Sequence, residues 1–274
     1  MDIGPSGLAP LLGQVRHDFT LIKIGVVIAA YNEAGNIGPL TTRLIAALDG
    51  FDRANWELIY VIDGTDDTRA IAQSFAAQRP EIRILYNQEP SGLARAFRRG
   101  FDAVSPEADV VVTLDADLNH QPEEISKLVA VLYSGNADII VGSRKVMGSI
   151  TRGSPLWKRT LSNAVNRFMR RLAGMPVADM TSGFRVYSRR AFRQISFTSS
   201  GFAFLPEILI HAQGEGLRIV EEPIEFIFRV TGESKMHLAP TALSYLKMFA
   251  GRFLLLGKNF ITRMRLPFAG SPRN

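Results

Sequence analysis

Residues 108–120 read ADVVVTLDADLNH, a run of apolar residues that ends in two carboxylates. The run is short, rich in β-branched residues and nearly continuous, which is typical of a parallel strand buried on both faces. In an extended chain, Asp115 and Asp117 would direct their side chains to the same side. Carboxylate oxygens are hard ligands, so the pair predicts a site for Mg²⁺ or Mn²⁺. Taken alone, such aspartates are also typical of helix caps and turns.

Other segments on both sides of this run repeat its pattern. Apolar runs of the same kind are KIGVVIAAY at 23–31, WELIYVID at 56–63, IRILYN at 82–87 and ADIIVGSR at 137–144. The segments NIGPLTTRLIAALDG, DDTRAIAQSFAAQ and GLARAFRRGFDAV lie between them and carry apolar residues at helical spacing. The alternation predicts βαβ units and an α/β fold with a mostly parallel sheet. Ligands bind beyond the carboxyl ends of such strands, where we expect Asp63, Asp115, Asp117 and Arg144 to converge.

Length and composition favour one large folded domain. The 274 residues are 46% hydrophobic and 21% charged, enough for a large α/β domain with a smaller appendage. The absence of cysteine excludes a disulfide framework, a thiol nucleophile and a cysteine metal site. Residues 1–22 lack a signal-peptide pattern, so we expect a loose extension and synthesis that finishes in the cytosol. The sequence contains no dinucleotide-binding, P-loop, serine-hydrolase or zinc-protease motif.

Positive charge is concentrated at the carboxyl-terminal end. The net charge is +6, and no acidic residue follows Glu233. The basic residues after that position are Lys235, Lys247, Arg252, Lys258, Arg263, Arg265 and Arg273. This distribution predicts an anionic partner: nucleic acid, anionic lipid or a phosphorylated substrate. Nucleic acid is disfavoured because the clearest aromatic residues lie on apolar stripes and do not alternate with charge.

Two segments have the pattern of amphipathic helices. Residues 154–174, SPLWKRTLSNAVNRFMRRLAG, start with a Ser cap and a first-turn Pro and end with Gly. Their apolar stripe is Trp157, Leu161, Val165, Phe168 and Leu172, with several arginines on the remaining surface. Such a helix either lies in a bilayer interface or packs its stripe on the core. In the second segment, at 240–266, basic residues interrupt every window of about 20 residues, which predicts a surface helix and disfavours a spanning one.

Several motifs occur in an order that resembles inverting family-2 glycosyltransferases of the GT-A fold. They are VVIAAYNEAGNIGPL, VIDGTDDT, GLARAFRRGF, TLDADLNHQPEE, VGSR, DMTSGFRVYSRRAF and FRVTGESKM. More narrowly, the chain is similar to dolichol-phosphate (polyprenyl-phosphate) mannosyltransferases over residues 23–237, and the last two motifs are the most specific. The resemblance implies a GT-A domain at 23–237 after an extension at 1–22. A basic amphipathic membrane-associating tail would follow at 238–274.

The resemblance also implies roles for individual residues. The residues that would bind the sugar nucleotide are Ala29, Tyr31, Glu33, Ile62, Asp63, Asp115, Ala116, Arg229 and Lys235. Asp115, Asp117 and Asn119 would hold the metal ion, and Arg144, Lys158 and Ser162 would hold the acceptor phosphate. The implied catalytic set is Asp117, Arg144, Arg229 and Lys235, with the last two on a loop that closes over the donor. From the residues alone, the loop RVTGESK also fits a solvated hairpin tip.

Four positions depart from the family pattern. Ile62 stands where the family has the first of two aspartates, which leaves the nucleobase open. Ala29 replaces a common proline, Asn119 replaces glutamine, and Lys158 replaces arginine. The amide oxygen of Asn119 can still coordinate a hard cation. The ammonium group of Lys158 is a compact point charge, whereas the guanidinium of an arginine offers two parallel donors to a phosphate. We expect Arg185, in the segment TSGFR before a predicted helix, to be structural.

The implied reaction moves mannose from GDP-mannose to a polyprenyl monophosphate with inversion, assisted by Mg²⁺ or Mn²⁺. A phosphate monoester is already an anion, so no histidine or glutamate base is needed. We expect a peripheral protein on the cytoplasmic face of a membrane, held by lipid contacts or by a membrane protein partner. The alternatives are a glucosyl- or N-acetylhexosaminyltransferase that uses a UDP-sugar, and a non-catalytic scaffold.

Overall fold

The computed structural model describes residues 22–51, 55–228 and 241–250. Its strands are β1 (Ile24–Tyr31), β2 (Trp56–Asp63), β3 (Ile82–Asn87), β4 (Val110–Thr113), β5 (Ile139–Ser143), β6 (Ile150–Arg152), β7 (Arg185–Ser188), β8 (Ile219–Pro223) and β9 (Glu225–Ile227). Its helices are α1 (Ala34–Leu48), α2 (Thr68–Ala76), α3 (Leu93–Ala103), α4 (Ile125–Ser134), α5 (Leu156–Ala173), α6 (Arg189–Gln194) and α7 (Phe204–Gly214). Residues 241–250 are also helical.

The centre of the protein is a seven-stranded sheet with the order β3-β2-β1-β4-β7-β5-β8. Every pair is parallel except those of β7, which runs antiparallel to both β4 and β5. The short strands β6 and β9 form a separate parallel pair. The predicted α/β fold with a mostly parallel sheet is confirmed, and β1, β2 and β3 match the predicted runs closely. The sequence reading did not include β7, and it predicted a helix directly after the turn that β7 follows.

Helices cover both faces of the sheet because its central strands are apolar on both sides. One core cluster joins the sheet to α1 and α4, and the other joins it to α3 and α7. Side chains such as Ile28 and Val27, on opposite faces of β1, are fully buried. Each side chain of this kind contributes about 1.5–3 kcal/mol when it leaves water. The sheet is therefore a rigid base for the residues that follow its strands.

Some expectations fall outside the described residues. The described residues do not include 1–21, 229–240 with Arg229 and Lys235, or 251–274. The division into extension, catalytic domain and tail stays a prediction. Among the helices that the structure describes, none combines the length and apolar character needed to cross a bilayer.

Candidate active site

Adjacent strand ends bring the first predicted site residues together. Tyr31 and Asp63 are the last residues of β1 and β2, and they are partners in the register of the two strands. Asp63 is buried; its Oδ1 accepts a hydrogen bond from Asn87 Nδ2 (2.9 Å), and its Oδ2 accepts from the backbone and hydroxyl of Ser91 (2.7 and 2.9 Å). This carboxylate therefore fixes the loop that follows β3 against the end of β2.

The loops after β1 and β2 are interlocked. Asn32 Oδ1 accepts a hydrogen bond from the backbone N–H of Thr65 (3.1 Å), and the backbone N–H of Glu33 donates to Thr68 Oγ1 (2.7 Å). Gly64 has a φ of +107°, and a Cβ at that position would lie 2.1 Å from Asn32 Oδ1. Only glycine fits this contact, because a side chain would meet both the strained backbone and the amide. The loops at the carboxyl ends of β1 and β2 are thus fixed relative to each other.

The residues that were expected to bind the sugar nucleotide differ in how exposed their side chains are. Tyr31 is 43% exposed, whereas Ile62 and Ala116 are buried in the hydrophobic core. Ala29 is half-buried and packs against the core on the other face of the sheet. Contacts from Ile62 and Ala116 to a nucleotide would therefore come from their backbone. Glu33 is buried, and its Oε2 accepts a hydrogen bond from a neighbouring amide.

The acidic motif lies in a turn and not in a strand. Strand β4 ends at Thr113, so Asp115 and Asp117 follow it. Leu118 has a φ of +61°, which is uncommon for a residue with a side chain and is typical of strained functional turns. The reversal lets Asp117 accept two hydrogen bonds from Asn119, from the backbone N–H (3.1 Å) and from Nδ2 (2.6 Å). The structure thus brings Asp117 and the amide of Asn119 together, and their role as metal ligands stays a prediction.

Asp115 lies against a glycine and a buried histidine. A Cβ on Gly183 would lie 2.5 Å from Asp115 Oδ1, so the absence of a side chain makes room for the carboxylate. His120 Nδ1 lies 3.4 Å from Asp115 Oδ2. The imidazole is fully buried, with the rings of Phe184 and Phe226 at 5.4 and 5.3 Å between centroids. Burial lowers the pKa of His120 to about 4, so the ring is neutral at pH 7. Sequence analysis did not assign this histidine, because its burial depends on distant strands.

The side-chain oxygen atoms of this turn are of the type that binds a hard divalent cation. The candidate ligands are two carboxylates, Asp115 and Asp117, and the amide oxygen of Asn119, all oxygen donors of the kind that Mg²⁺ and Mn²⁺ prefer. Within the described residues, no group of three or more His, Cys, Asp or Glu side chains could hold a metal ion. An ion would take its remaining ligands from water and from phosphate oxygens, which is the usual way in which Mg²⁺ binds.

Arg144 is held by a buried carboxylate on the opposite side of the crevice. Its Nε and Nη2 donate to the two carboxylate oxygens of Asp179 (2.7 and 2.8 Å), and Nη2 also donates to Thr181 Oγ1 (3.1 Å). Asp179 is fully buried, and its backbone N–H donates to Glu221 Oε1 (2.9 Å). Burial acts to raise the pKa of Asp179, but the charge and hydrogen bonds of Arg144 hold it far below its usual value. The hydrogen bonds of Arg144 among the described residues leave Nη1 for a ligand.

Arg144 and Asp115 of the acidic motif affect each other's pKa through their charges. Burial raises the pKa of Asp115, and the charges of Arg144 and Arg185 act against that rise. Arg185 is fully buried and donates to three backbone carbonyl oxygens, at 2.8 to 2.9 Å. These contacts support the expected structural role of Arg185, whereas 20% of the Arg144 side chain is exposed.

Helix α5 supplies the other residues that were expected at the acceptor phosphate. Pro155 is its N-cap, one residue later than the predicted Ser154 cap, and Gly174 ends it in a left-handed conformation. Lys158 Nζ lies 4.6 Å from the ring centroid of Phe228, and Ser162 follows one turn later. Phe228 is the last described residue before the segment 229–240, and the roles of Arg229 and Lys235 in that segment stay predictions.

The apolar stripe of α5 faces outward. Trp157 and Phe168 are each 59% exposed, and Leu161 and Leu172 are each 40% exposed. The buried side chains of the helix are Asn166 and Met169. Of the two interpretations that the sequence left open, packing of the stripe on the core is therefore wrong for these four residues. Val165 alone of the stripe is half-buried.

Comparisons with known proteins agree with this geometry. The family model described as Glycosyl transferase family 2 matches residues 25–196. The polyprenol monophosphomannose synthase of Mycolicibacterium smegmatis is 33% identical over 217 residues, which are 77% of this chain and 80% of that protein. The dolichol-phosphate mannosyltransferase of Pyrococcus furiosus is 33% identical over 231 residues, which are 82% of this chain and 62% of that protein.

A solved structure with a similar fold is glucosyl-3-phosphoglycerate synthase from Mycobacterium tuberculosis, in complex with Mn²⁺, UDP and phosphoglyceric acid. The TM-score is 0.63 at 22% identity, and the match covers 92% of this chain and 82% of that one. This likeness confirms the predicted GT-A fold. The family model covers more than half of the chain, and the curated relatives exceed 30% identity over most of it. The chain therefore belongs to glycosyl transferase family 2.

Proposed function

We propose that this protein transfers mannose from GDP-mannose to a polyprenyl monophosphate, with inversion at the anomeric carbon. The observation that carries the proposal is the position of Arg144, a cation that a buried carboxylate holds beside the acidic motif. Such a site can receive a phosphate acceptor opposite a metal-bound diphosphate. The printed names of the relatives from M. smegmatis and P. furiosus support the sugar and the acceptor.

The reaction needs positioning and charge stabilisation more than proton transfer. An oxygen of the acceptor phosphate would form a bond to the anomeric carbon while the bond to the donor's β-phosphate oxygen breaks. The nucleoside diphosphate leaves with the electron pair. Because the attacking oxygen is already anionic, Arg144 would orient it without removing a proton. A divalent ion held by Asp115, Asp117 and Asn119 would neutralise the charge of the departing diphosphate.

Product analysis tests the proposal and the choice of donor. The purified protein is incubated with a short polyprenyl phosphate, Mg²⁺ or Mn²⁺, and GDP-mannose or UDP-glucose in parallel, and the lipids are analysed by mass spectrometry. We expect a hexosyl phosphoryl lipid from GDP-mannose alone. Product from UDP-glucose alone would overturn the donor. No product from either sugar nucleotide, although calorimetric titration shows that GDP or UDP binds, would overturn the acceptor.

We also propose that α5 places the protein on the cytoplasmic face of a membrane as a peripheral protein. The exposed residues Trp157, Leu161 and Phe168 would enter the boundary between head groups and acyl chains. The arginines of α5, four of which are exposed, suit the anionic lipids of the cytoplasmic leaflet. Leu243 and Leu246, exposed on the helical segment 241–250, would extend this surface. A membrane protein partner is the second means of attachment that this surface allows.

Flotation with vesicles tests the membrane contact. Wild-type protein should float with vesicles of phosphatidylglycerol at low salt and less at high salt. The double variant Trp157→Ser/Phe168→Ser should remain at the bottom of the gradient. Tyr133→Ser is the matched control, because Tyr133 is an aromatic residue on α4 that is also exposed, at 42%. Equal flotation of all variants would overturn the assignment to α5.

A further inference from the structure

Lys145 lies between the end of β5 and helix α5. It follows Arg144 directly, and its Nζ donates a hydrogen bond to Asn163 Oδ1 on α5 (2.7 Å). Its backbone N–H donates to Ser143 Oγ (3.2 Å), which fixes the start of the side chain. Lys145 is half-buried, and its ammonium group is held by the exposed side chain of Asn163. Asn163 is the neighbour of Ser162 in the sequence of α5.

The surroundings of Lys145 are positively charged. Burial lowers the pKa of Lys145, the charges of Arg144 and Arg159 lower it further, and Asp179 acts in the opposite direction. Both carboxylate oxygens of Asp179 already accept hydrogen bonds from the guanidinium of Arg144. Among the described residues, no carboxylate lies within ion-pairing distance of Lys145 Nζ, and its printed side-chain partner is a neutral amide. The charges that act on Lys145 are thus two cations and one carboxylate that is already paired, and a bound anion would stabilise its ammonium group.

We propose that Lys145 binds the phosphate group of the polyprenyl monophosphate, in addition to Arg144, Lys158 and Ser162. This inference rests on the proposed function, because it names a further contact for the same acceptor. A phosphate monoester carries close to two negative charges and three oxygen acceptors, and hydrogen bonds from cations to it are strong. Two donors of the ammonium group stay available beyond its bond to Asn163.

A purely structural role is the alternative to be separated. Lys145 and Asn163 join β5 to α5, and a link of this kind would hold the helix without touching a substrate. Lys145→Gln tests the difference, because glutamine keeps a donor for Asn163 and loses the charge. Lys145→Arg keeps the charge. Lys23→Gln is the matched control, since Lys23 precedes β1 at the opposite edge of the sheet and pairs with Glu107.

The experiment is calorimetric titration of the full-length protein with farnesyl phosphate, with the uncharged farnesol as a second titrant. We expect Lys145→Gln to weaken farnesyl phosphate binding at least about tenfold, the range of a hydrogen bond between charged groups. Lys145→Arg and Lys23→Gln should bind like the wild type, and thermal melting should be unchanged in Lys145→Gln. Farnesol binding should not respond to any of the substitutions.

Three outcomes would overturn the inference. One is equal binding of farnesyl phosphate by wild type and Lys145→Gln, in which case wild-type turnover shows that the proposed function still stands. Another is a Lys145→Gln variant that binds farnesyl phosphate like the wild type but floats less with phosphatidylglycerol vesicles, which would move Lys145 to the membrane contact. A wild type that does not bind farnesyl phosphate at all would overturn the proposed acceptor as well.

Discussion

The buried ion pair between Arg144 and Asp179 allows a quantitative test of the acceptor side of the site. In Asp179→Asn, one of the two oxygens that accept from the guanidinium becomes an N–H donor, and the cation loses its counter-charge. Removal of one partner from a buried pair costs about 3–5 kcal/mol. Because 20% of the Arg144 side chain stays exposed, water can compensate in part, and we expect about 3 kcal/mol, the lower end of that range.

Urea unfolding and thermal melting measure this cost. A loss of about 3 kcal/mol corresponds to a fall in melting temperature of about 5 °C for a protein of this size. The matched control is Asp49→Asn, because Asp49 also receives two hydrogen bonds from one guanidinium, that of Arg79, but on the surface. We expect less than about 1 kcal/mol there. A loss in Asp179→Asn no larger than in the control would refute the reasoning.

The dependence on pH gives a second test of the same pair. The pKa of Asp179 is lower in the folded protein than in the unfolded chain, where an aspartate titrates near about 3.9. The ionised carboxylate therefore stabilises the fold at every pH above that unfolded value, and this contribution falls as the pH falls toward the folded pKa. The stability difference between wild type and Asp179→Asn should be constant from neutral pH to about pH 5 and should narrow below about pH 4. A difference that grows in acid would contradict the assignment.

Three further predictions concern the acidic motif and its support. Gly183→Ala places a Cβ 2.5 Å from Asp115 Oδ1, so we expect the Mn²⁺ concentration for half-maximal activity to rise at least about tenfold. The control Gly214→Ala has open space at its Cβ and should change this concentration little. Asp117→Asn should lower turnover more than about 100-fold with an unchanged circular dichroism spectrum, and wild-type activity would exclude the metal role. Arg185→Met leaves three buried carbonyl oxygens without their donor and should cost at least about 3 kcal/mol in urea unfolding; a loss below 1 kcal/mol would show that water replaces the guanidinium.

The strands and helices that could be predicted are those whose signal is local. The continuous β-branched runs of β1 and β2 and the helical spacing of α1 depend on neighbouring residues in the sequence, and the structure places them within a few residues of the prediction. Strand β7 has only four residues, RVYS, and owes its conformation to pairing with β4 and β5. Such a strand is stabilised by distant partners, so its own residues carry little signal.

The site shows the same limit. Asp63, Asp115, Asp117 and Arg144 were predicted to converge because all four follow strands of one sheet. In the structure, Arg144 lies near enough to Asp115 for its charge to oppose the rise that burial causes in the pKa of that carboxyl. The partner of Arg144 was not predicted, although Asp179 lies in a motif that the sequence analysis singled out. Its role depends on a contact between residues 35 apart in sequence, which no periodicity reveals. For α5, periodicity showed the apolar stripe but not which face the rest of the protein would cover.

Strand β7 also sets the distance between the acidic motif after β4 and Arg144 after β5. Because β7 lies between β4 and β5, the residues after those two strands are separated by two strand spacings, roughly 10 Å. Since β7 is antiparallel to both, the turn before it lies at the same edge of the sheet as the ends of β4 and β5. Thr113 Oγ1 donates to the carbonyl of Gly183 (2.8 Å), and Ser182 Oγ donates to the carbonyl of Gly142 (2.6 Å), so both neighbours fix this turn. The base of this edge is therefore backbone without a side chain at residue 183, and the carboxylate of Asp115 packs directly against it.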